Sequence, residues 1–245
     1  MAGNEGFGVL VERLADRRHV NLADLARSAD VDQSELLTLI RGGAPSPSLL
    51  RRLAPALGLH TADLFAIAGV DVPDDLAPVD TKAGLHVPSL VQHVVTLSSE
   101  QRDAVRQFVA SLPQEGHVQP VLELRAYERY PASPGAVLMC LARNRNLGWS
   151  AIAKTFYVVT GRCWSASTYG GVGCGTVPLT PGLLADFSAV LDVSFDDLTA
   201  LTGVALPDVS SIPEPTAVGV AELLWAVRRL TGTQLRQVRT FAESL

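Results

Sequence analysis

The chain has 245 residues, of which 47% are hydrophobic and 18% charged, a composition typical of a packed globular protein rather than a disordered or fibrous one. The net charge of −5 counts against a polyanionic partner without excluding one, because binding depends on the local distribution of charge. The apolar runs are far shorter than the ~18–20 residues of a membrane span, and the N-terminus has no basic region followed by an apolar stretch. We therefore expect a cytoplasmic protein with no membrane contact and no secretory signal.

Apolar residues recur at three- and four-residue spacings in successive short segments, which is the periodicity of helices. Two helix starts also carry a chemical signal. Ser46–Pro47 and Thr180–Pro181 each place a hydroxyl at the N-cap and a proline at the first helical position, where no amide N–H is needed. Because the alternation typical of strands is absent, the sequence predicts an all-α protein.

The sequence also repeats itself. The segment 97–112, LSSEQRDAVRQFVASL, matches 230–245, LTGTQLRQVRTFAESL, without a gap, and 46–70 matches 180–204 at almost the same offset. Upstream the offset is smaller, where LVERLADRR at 10–18 matches VLMCLARNR at 137–145, because the second copy carries extra residues near 155–164. Ordered matches at both ends predict two tandem copies of one unit of about 110 residues.

The stretch LADLARSADVDQSELLTLIRGG contains two apolar-patterned segments on either side of a small polar break. A helix over 22–28, a break at 29–31 and a helix over 32–41 would form a helix–turn–helix, which two glycines end. With LLRRLAPALGL and ADLFAIAG as closing helices, residues 8–70 resemble the Cro/C1-type (XRE-like) helix–turn–helix domain of phage repressors and many bacterial regulators. The resemblance extends more weakly to 137–204.

The resemblance and the repeat together divide the chain into five segments. They are a Cro/C1-like helix–turn–helix domain at 1–72, a helical extension of the first copy at 73–112, a linker at 113–135, a diverged second helix–turn–helix domain at 136–205 and a helical extension of the second copy at 206–245. The linker is predicted to hold one short helix, at 120–129.

In Cro/C1-type proteins the N-terminal end of the second helix of the motif enters the major groove, and its exposed side chains contact base edges. The base contacts that the resemblance implies are Gln33, Ser34, Glu35 and Thr38. Gln can bond adenine at two atoms, Ser can bond either partner, and Glu can accept from a cytosine amino group. The phosphate contacts that it implies are Arg17, Arg27, Arg41 and, in the second copy, Lys154.

Some of these residues have an explanation without DNA. Asp32 as N-cap and Glu35 three residues later would form a capping box. The glutamine that grips a phosphate in many relatives is replaced by Leu22, and by Trp149 in the second copy. The recognition-helix positions of the second copy become small: Ala166, Ser167 and Thr168. Such a helix can bond phosphates or can instead bind a protein partner.

We find no pattern of catalytic, nucleotide-binding or metal-binding residues, so we expect no enzymatic activity, no cofactor and no metal. Cys140, Cys163 and Cys174 lack CxxC spacing and are expected to be reduced thiols. The leading hypothesis is a sequence-specific transcriptional regulator that binds double-stranded DNA and acts by operator occupancy. The alternative is a helical adaptor that keeps the fold and works through protein contacts.

The repeated C-terminal helices suggest how copies could associate. Both keep an apolar stripe, which consists of Val105, Phe108, Val109 and Leu112 in the first copy and of Val238, Phe241 and Leu245 in the second. The stripe either closes the core of its own copy or pairs copies. Because Cro/C1-type domains usually bind DNA as symmetric dimers, the resemblance implies a homodimer, with a single-chain pseudo-dimer as the alternative.

Overall fold

The structure, a computed structural model, describes residues 6–116, 129–204 and 215–245. The first half contains α1 (Phe7–Arg17), α2 (Leu22–Ser28), α3 (Gln33–Ile40), α4 (Pro47–Ala56), α5 (Thr61–Ile67), a 3₁₀ turn (Ala83–His86), α6 (Val87–Val94) and α7 (Ser99–Ser111). The second half contains α8 (Pro134–Asn144), α9 (Trp149–Thr160), α10 (Ala166–Gly173), α11 (Pro181–Leu191), α12 (Phe195–Thr202), α13 (Pro215–Val227) and α14 (Gly232–Glu243).

The all-α prediction is confirmed, since the described ranges contain helices and no strand. No helix in them is long and apolar enough to cross a membrane. The short helix predicted at 120–129 falls outside the described residues, apart from its last position.

The α-helices that the structure describes follow the same order in the two halves. The first and last residues of α10 correspond to those of α3 at the offset that relates 97–112 to 230–245. Helices α8 and α9 begin at positions that correspond to the starts of α1 and α2, at the smaller offset that relates 10–18 to 137–145. The extra residues of the second half lengthen a helix, because α9 has 12 residues where α2 has 7. The change in offset predicted near 155–164 therefore lies at the end of α9 and in the turn after it.

Helix starts follow the chemistry of the N-cap. The side chains of Ser46 and Thr180 accept backbone N–H bonds at the starts of α4 and α11, each followed by a proline. Ser98 and Thr231 form complete capping boxes at the starts of α7 and α14. These bonds satisfy amides that have no partner within the helix, and they set where each helix begins.

A glycine in the first turn of α1 and of α8 permits a close helix contact. A Cβ on Gly8 would lie 2.5 Å from the carbonyl oxygen of Leu39, and one on Gly135 would lie 2.0 Å from that of Val172. Leu39 in α3 and Val172 in α10 occupy corresponding positions. Both halves therefore place their third helix directly against the backbone of their first.

The halves pack on each other through two sets of corresponding helix contacts. Helix α1 lies against α12 and α5 against α8, while α7 packs on α13 and α14 on α6. Between α7 and α14 the rings of Phe108 and Phe241 stack with centroids 4.5 Å apart. The buried apolar side chains of both halves form one continuous core.

Two ion pairs at corresponding positions join the halves. Arg145, at the end of α8, places Nη1 2.6 Å from Oδ1 of Asp63 in α5, and both side chains are 0% exposed. Arg18, at the end of α1, binds Asp197 in α12 through two hydrogen bonds of 3.1 and 2.6 Å, with 26% and 9% of the side chains exposed. The same pair of charges is therefore buried to different depths on the two sides.

The packing is not equal on the two sides. By their order, α13 corresponds to α6, α9 to α2 and α11 to α4. Helix α6 packs on α9, and α13 packs on α9 and α11. No packing of similar extent joins the described parts of α13 to α2 or of α6 to α4. As a result α2, α3 and α4 pack mainly on each other and on α1 and α5. The helix–turn–helix of the first half therefore lies at the periphery of the molecule.

Candidate nucleic-acid interface

Helix α3 is attached to the core by one face and exposes its first turn. Leu36 and Leu39 are buried, while Gln33 and Ser34 are exposed. Within the described residues neither exposed side chain has a hydrogen-bond partner. Both predicted base-contact residues are therefore open to an external ligand.

The third predicted base contact, Glu35, is half-buried and engaged. Nη2 of Arg52 in α4 lies 3.4 Å from Oε2 of Glu35, and Nη1 of Arg52 donates to the carbonyl of Asp30 at 2.8 Å. Asp32 is the N-cap residue, but its side chain makes no capping bond. The capping box predicted from Asp32 and Glu35 is therefore wrong, because Glu35 pairs with an arginine of another helix instead.

Thr38 lies one turn after Ser34 and is exposed. Its hydroxyl donates to the carbonyl of Ser34 at 2.8 Å, which leaves its oxygen free to accept. The helix stops as the glycine pair predicted, because Gly42 has φ of +97° and the N–H of Gly43 bonds the carbonyl of Thr38 at 2.9 Å. A positive φ of this kind is a conformation that favours glycine.

The predicted phosphate contacts differ in availability. Arg27 is 76% exposed but pairs with Asp24 at 2.5 Å, and Nη2 of Arg17 donates to Oγ1 of Thr199 in the other half at 3.3 Å. Arg41 and Lys154 are exposed and have no partner among the residues that the structure describes. Arg41, at the end of α3, is therefore the available arginine of the three predicted in the first half.

The corresponding helix of the second half presents hydroxyls that are already hydrogen-bonded. Ser165 caps α10 by accepting from the N–H of Thr168, and its hydroxyl lies 2.8 Å from those of Ser167 and Thr168. Ser167 is exposed, whereas Ala166 and Thr168 are half-buried. The three recognition positions predicted for this half thus form a small, uncharged surface.

The glycines of the segment 170–175, GGVGCG, make room for two aromatic side chains. A Cβ on Gly170 would lie 2.6 Å from the ring of Trp149, and one on Gly173 would lie 2.4 Å from the ring of Tyr130. Nε1 of Trp149 donates to the hydroxyl of Tyr130 at 2.5 Å. Sequence reasoning missed Tyr130, although the glycine run was the available signal that something packs closely there.

A polar cluster occupies the boundary between the halves. The ring of Trp225 stacks on His60 with centroids 3.6 Å apart, and the guanidinium carbon of Arg228 lies 3.9 Å from the ring centroid of Trp225. Burial lowers the pKa of Arg228 to about 10, and its Nη1 donates to the carbonyl of Leu76 at 2.5 Å. The cluster holds the two halves together, since His60 and Leu76 belong to one half and Trp225 and Arg228 to the other.

Comparison of the chain with protein-family models, with curated proteins and with solved structures finds no match.

Proposed function

We propose that the protein is a sequence-specific transcriptional regulator that binds double-stranded DNA through α3 and acts by occupying its operator. The observation that carries the proposal is the exposed first turn of α3, where Gln33 and Ser34 have no partner among the described residues. An unpaired amide and an unpaired hydroxyl at the front of a motif helix are suited to base edges in a major groove. Arg41, exposed at the other end of α3, is suited to a phosphate.

The proposal includes a duplicated Cro/C1-like unit with the five segments given by the sequence. Four observations support the duplication: the common helix order, the paired capping boxes, the glycine contacts of Gly8 and Gly135, and the exchanged Arg–Asp pairs. Lys154 and the small positions of α10 belong to the second copy. We assign that copy mainly to holding the first, because α6 and α13 cover α9 and α11.

The apolar stripe of α7 and α14 is used inside the chain, where Val105 and Val238 are fully buried and the two phenylalanines stack. This favours a pseudo-dimer formed by the two copies of one chain. The homodimer that the resemblance implies remains a prediction.

The experiment is binding-site selection from random double-stranded DNA, followed by affinity measurements over a range of salt concentrations. The double variant Gln33→Ala/Ser34→Ala should lose preference at the base pairs that these two residues contact while it keeps binding to any DNA. Ser167→Ala is the matched control, because it removes the hydroxyl at the position of α10 that corresponds to Ser34. Arg41→Ala should weaken all DNA equally and reduce the salt dependence by about one phosphate.

The alternative function, a helical adaptor that binds proteins, is favoured by the pairing of the arginines. Arg18, Arg27, Arg51 and Arg52 all contact carboxylates of the chain itself, so the positive charge near α3 is largely neutralised. An adaptor would show no salt-dependent binding to any of the selected DNA. That result would replace the proposal with the adaptor.

A further inference from the structure

Arg52 connects the turn of the first helix–turn–helix to its recognition helix. Its guanidinium donates to the carbonyl of Asp30, in the turn, and approaches the carboxylate of Glu35, in the first turn of α3. Asp30 has φ of +53°, a left-handed conformation that costs free energy in residues other than glycine. The bond to its carbonyl therefore stabilises a turn conformation that the backbone alone does not favour.

The second half has a contact from the same position of its fourth helix to the turn before its third, made by a residue of opposite charge. Asp186 in α11 corresponds to Arg52 in α4, because the two helices lie in the matching segments 180–204 and 46–70. Its carboxylate accepts a hydrogen bond from Nε of Arg162, which lies in the turn before α10. The guanidinium carbon of Arg162 lies 4.7 Å from the ring centroid of Trp164, in the same turn.

The opposite charges of Arg52 and Asp186 distinguish a role in positioning the turn from a role in attracting DNA. The second half has an aspartate at this position, so a contact with the preceding turn is made there by a side chain that supplies no positive potential to DNA. The common feature is a side-chain contact from this position of the fourth helix to the segment that leads into the third: a hydrogen bond from Arg52 to the carbonyl of Asp30 in the first half, and an ion pair between Asp186 and Arg162 in the second. Such a contact ties the turn before the third helix to the fourth, whichever partner carries the positive charge.

We infer that Arg52 is a positioning residue of the proposed DNA-reading surface, which fixes the turn between α2 and α3 and the direction of Glu35. The inference rests on the proposed function, and it concerns the base that Glu35 selects. A carboxylate held at this position accepts a hydrogen bond from the exocyclic amino group of cytosine in the major groove. Arg52 thus sets preference at one base pair through Glu35, without contacting that base.

The test compares Arg52→Ala with Arg51→Ala. Arg51 is the matched control, because it precedes Arg52 in α4, carries the same charge and pairs with Asp75 instead of with α3. Affinities are measured for the selected site and for every single base-pair substitution in it, with Glu35→Gln and the Glu35→Gln/Arg52→Ala double variant included. Amide hydrogen exchange of residues 31–36 is measured in parallel without DNA.

We expect Arg52→Ala to reduce discrimination at one base pair by roughly fivefold or more, the size of a single base contact. Glu35→Gln should act at the same base pair, and the double variant should lose no more than either single variant. Exchange of the 31–36 amides should rise several-fold in Arg52→Ala and stay unchanged in Arg51→Ala.

Three results would overturn the inference. One is a loss of affinity in Arg52→Ala that is uniform across sequences, with a salt dependence reduced by about one phosphate, which would make Arg52 a phosphate contact. Another is a set of affinities across the base-pair substitutions that is identical to that of Arg51→Ala. Unchanged amide hydrogen exchange of residues 31–36 would exclude the positioning role, whatever the DNA affinities are. A wild-type protein without sequence preference, by contrast, would overturn the proposed function and the base-setting role together.

Discussion

The two Arg–Asp pairs between the halves provide an internal comparison of burial. In Arg145→Leu the carboxylate of Asp63 remains fully buried and keeps a hydrogen bond from Asn144, at 2.9 Å, but loses the arginine that it pairs with. Removing one partner of a buried ion pair costs about 3–5 kcal/mol, because the remaining charge is left in a medium of low polarity. We expect a loss of that size in the free energy of unfolding.

The same substitution at Arg18 is the matched control. The Arg18–Asp197 pair has the same chemistry, but 26% of the Arg18 side chain and 9% of the Asp197 side chain are exposed. Water can solvate Asp197 once the arginine is gone, so the loss should lie between the value for an exposed pair and that for a buried one, about 1–2 kcal/mol. Urea denaturation followed by circular dichroism measures both variants.

A double variant keeps the comparison interpretable if Arg145→Leu fails to fold. Replacing both partners of a buried pair with apolar residues is often neutral, so Asp63→Leu/Arg145→Leu should recover most of the loss. Equal losses in Arg145→Leu and Arg18→Leu, or no recovery in the double variant, would refute the reasoning that burial sets the cost.

Two further predictions concern pH and close packing. The imidazole of His60, whose Nε2 lies 3.7 Å from Oδ2 of Asp192, holds the pKa of that carboxyl below its ordinary value. The stabilisation is therefore present above the unfolded pKa and is lost as the pH falls through the folded pKa. Asp192→Asn should flatten the pH dependence of the unfolding free energy in this acidic range, and an unaltered profile would contradict the assignment. Gly8→Ala and Gly135→Ala would place a Cβ against a backbone carbonyl and should each cost about 1–3 kcal/mol in thermal unfolding. Gly148→Ala, where a Cβ meets nothing within 4 Å, should cost less than either.

Much of the fold could be predicted because its signals are local. Apolar spacing indicated the helices, and a hydroxyl followed by proline indicated where α4 and α11 begin. The exposure of Gln33, Ser34 and Thr38 followed from the same periodicity, since the buried face of α3 was defined by its leucines. Each of these inferences needed only residues within one or two turns of a helix.

The partners of the charged side chains could not be predicted in this way. Glu35 satisfied a local rule for a capping box, yet it pairs with Arg52, which is 17 residues away. Asp63 and Arg145 are 82 residues apart and meet because α5 packs on α8. A sequence lists the candidates for an ion pair, but the distance between them depends on how helices pack.

The sequence alone therefore determined the helices, their order, the repeat and the face that α3 exposes, because periodicity, capping and self-similarity are properties of the linear chain. Only the tertiary structure decided that the apolar stripes of α7 and α14 pair within one chain. Only it decided that α6 and α13 pack on α9 and α11 without packing of similar extent on α2 and α4. Equivalent apolar faces can be buried against several partners at similar free-energy gain, and the packing of the whole chain selects among them.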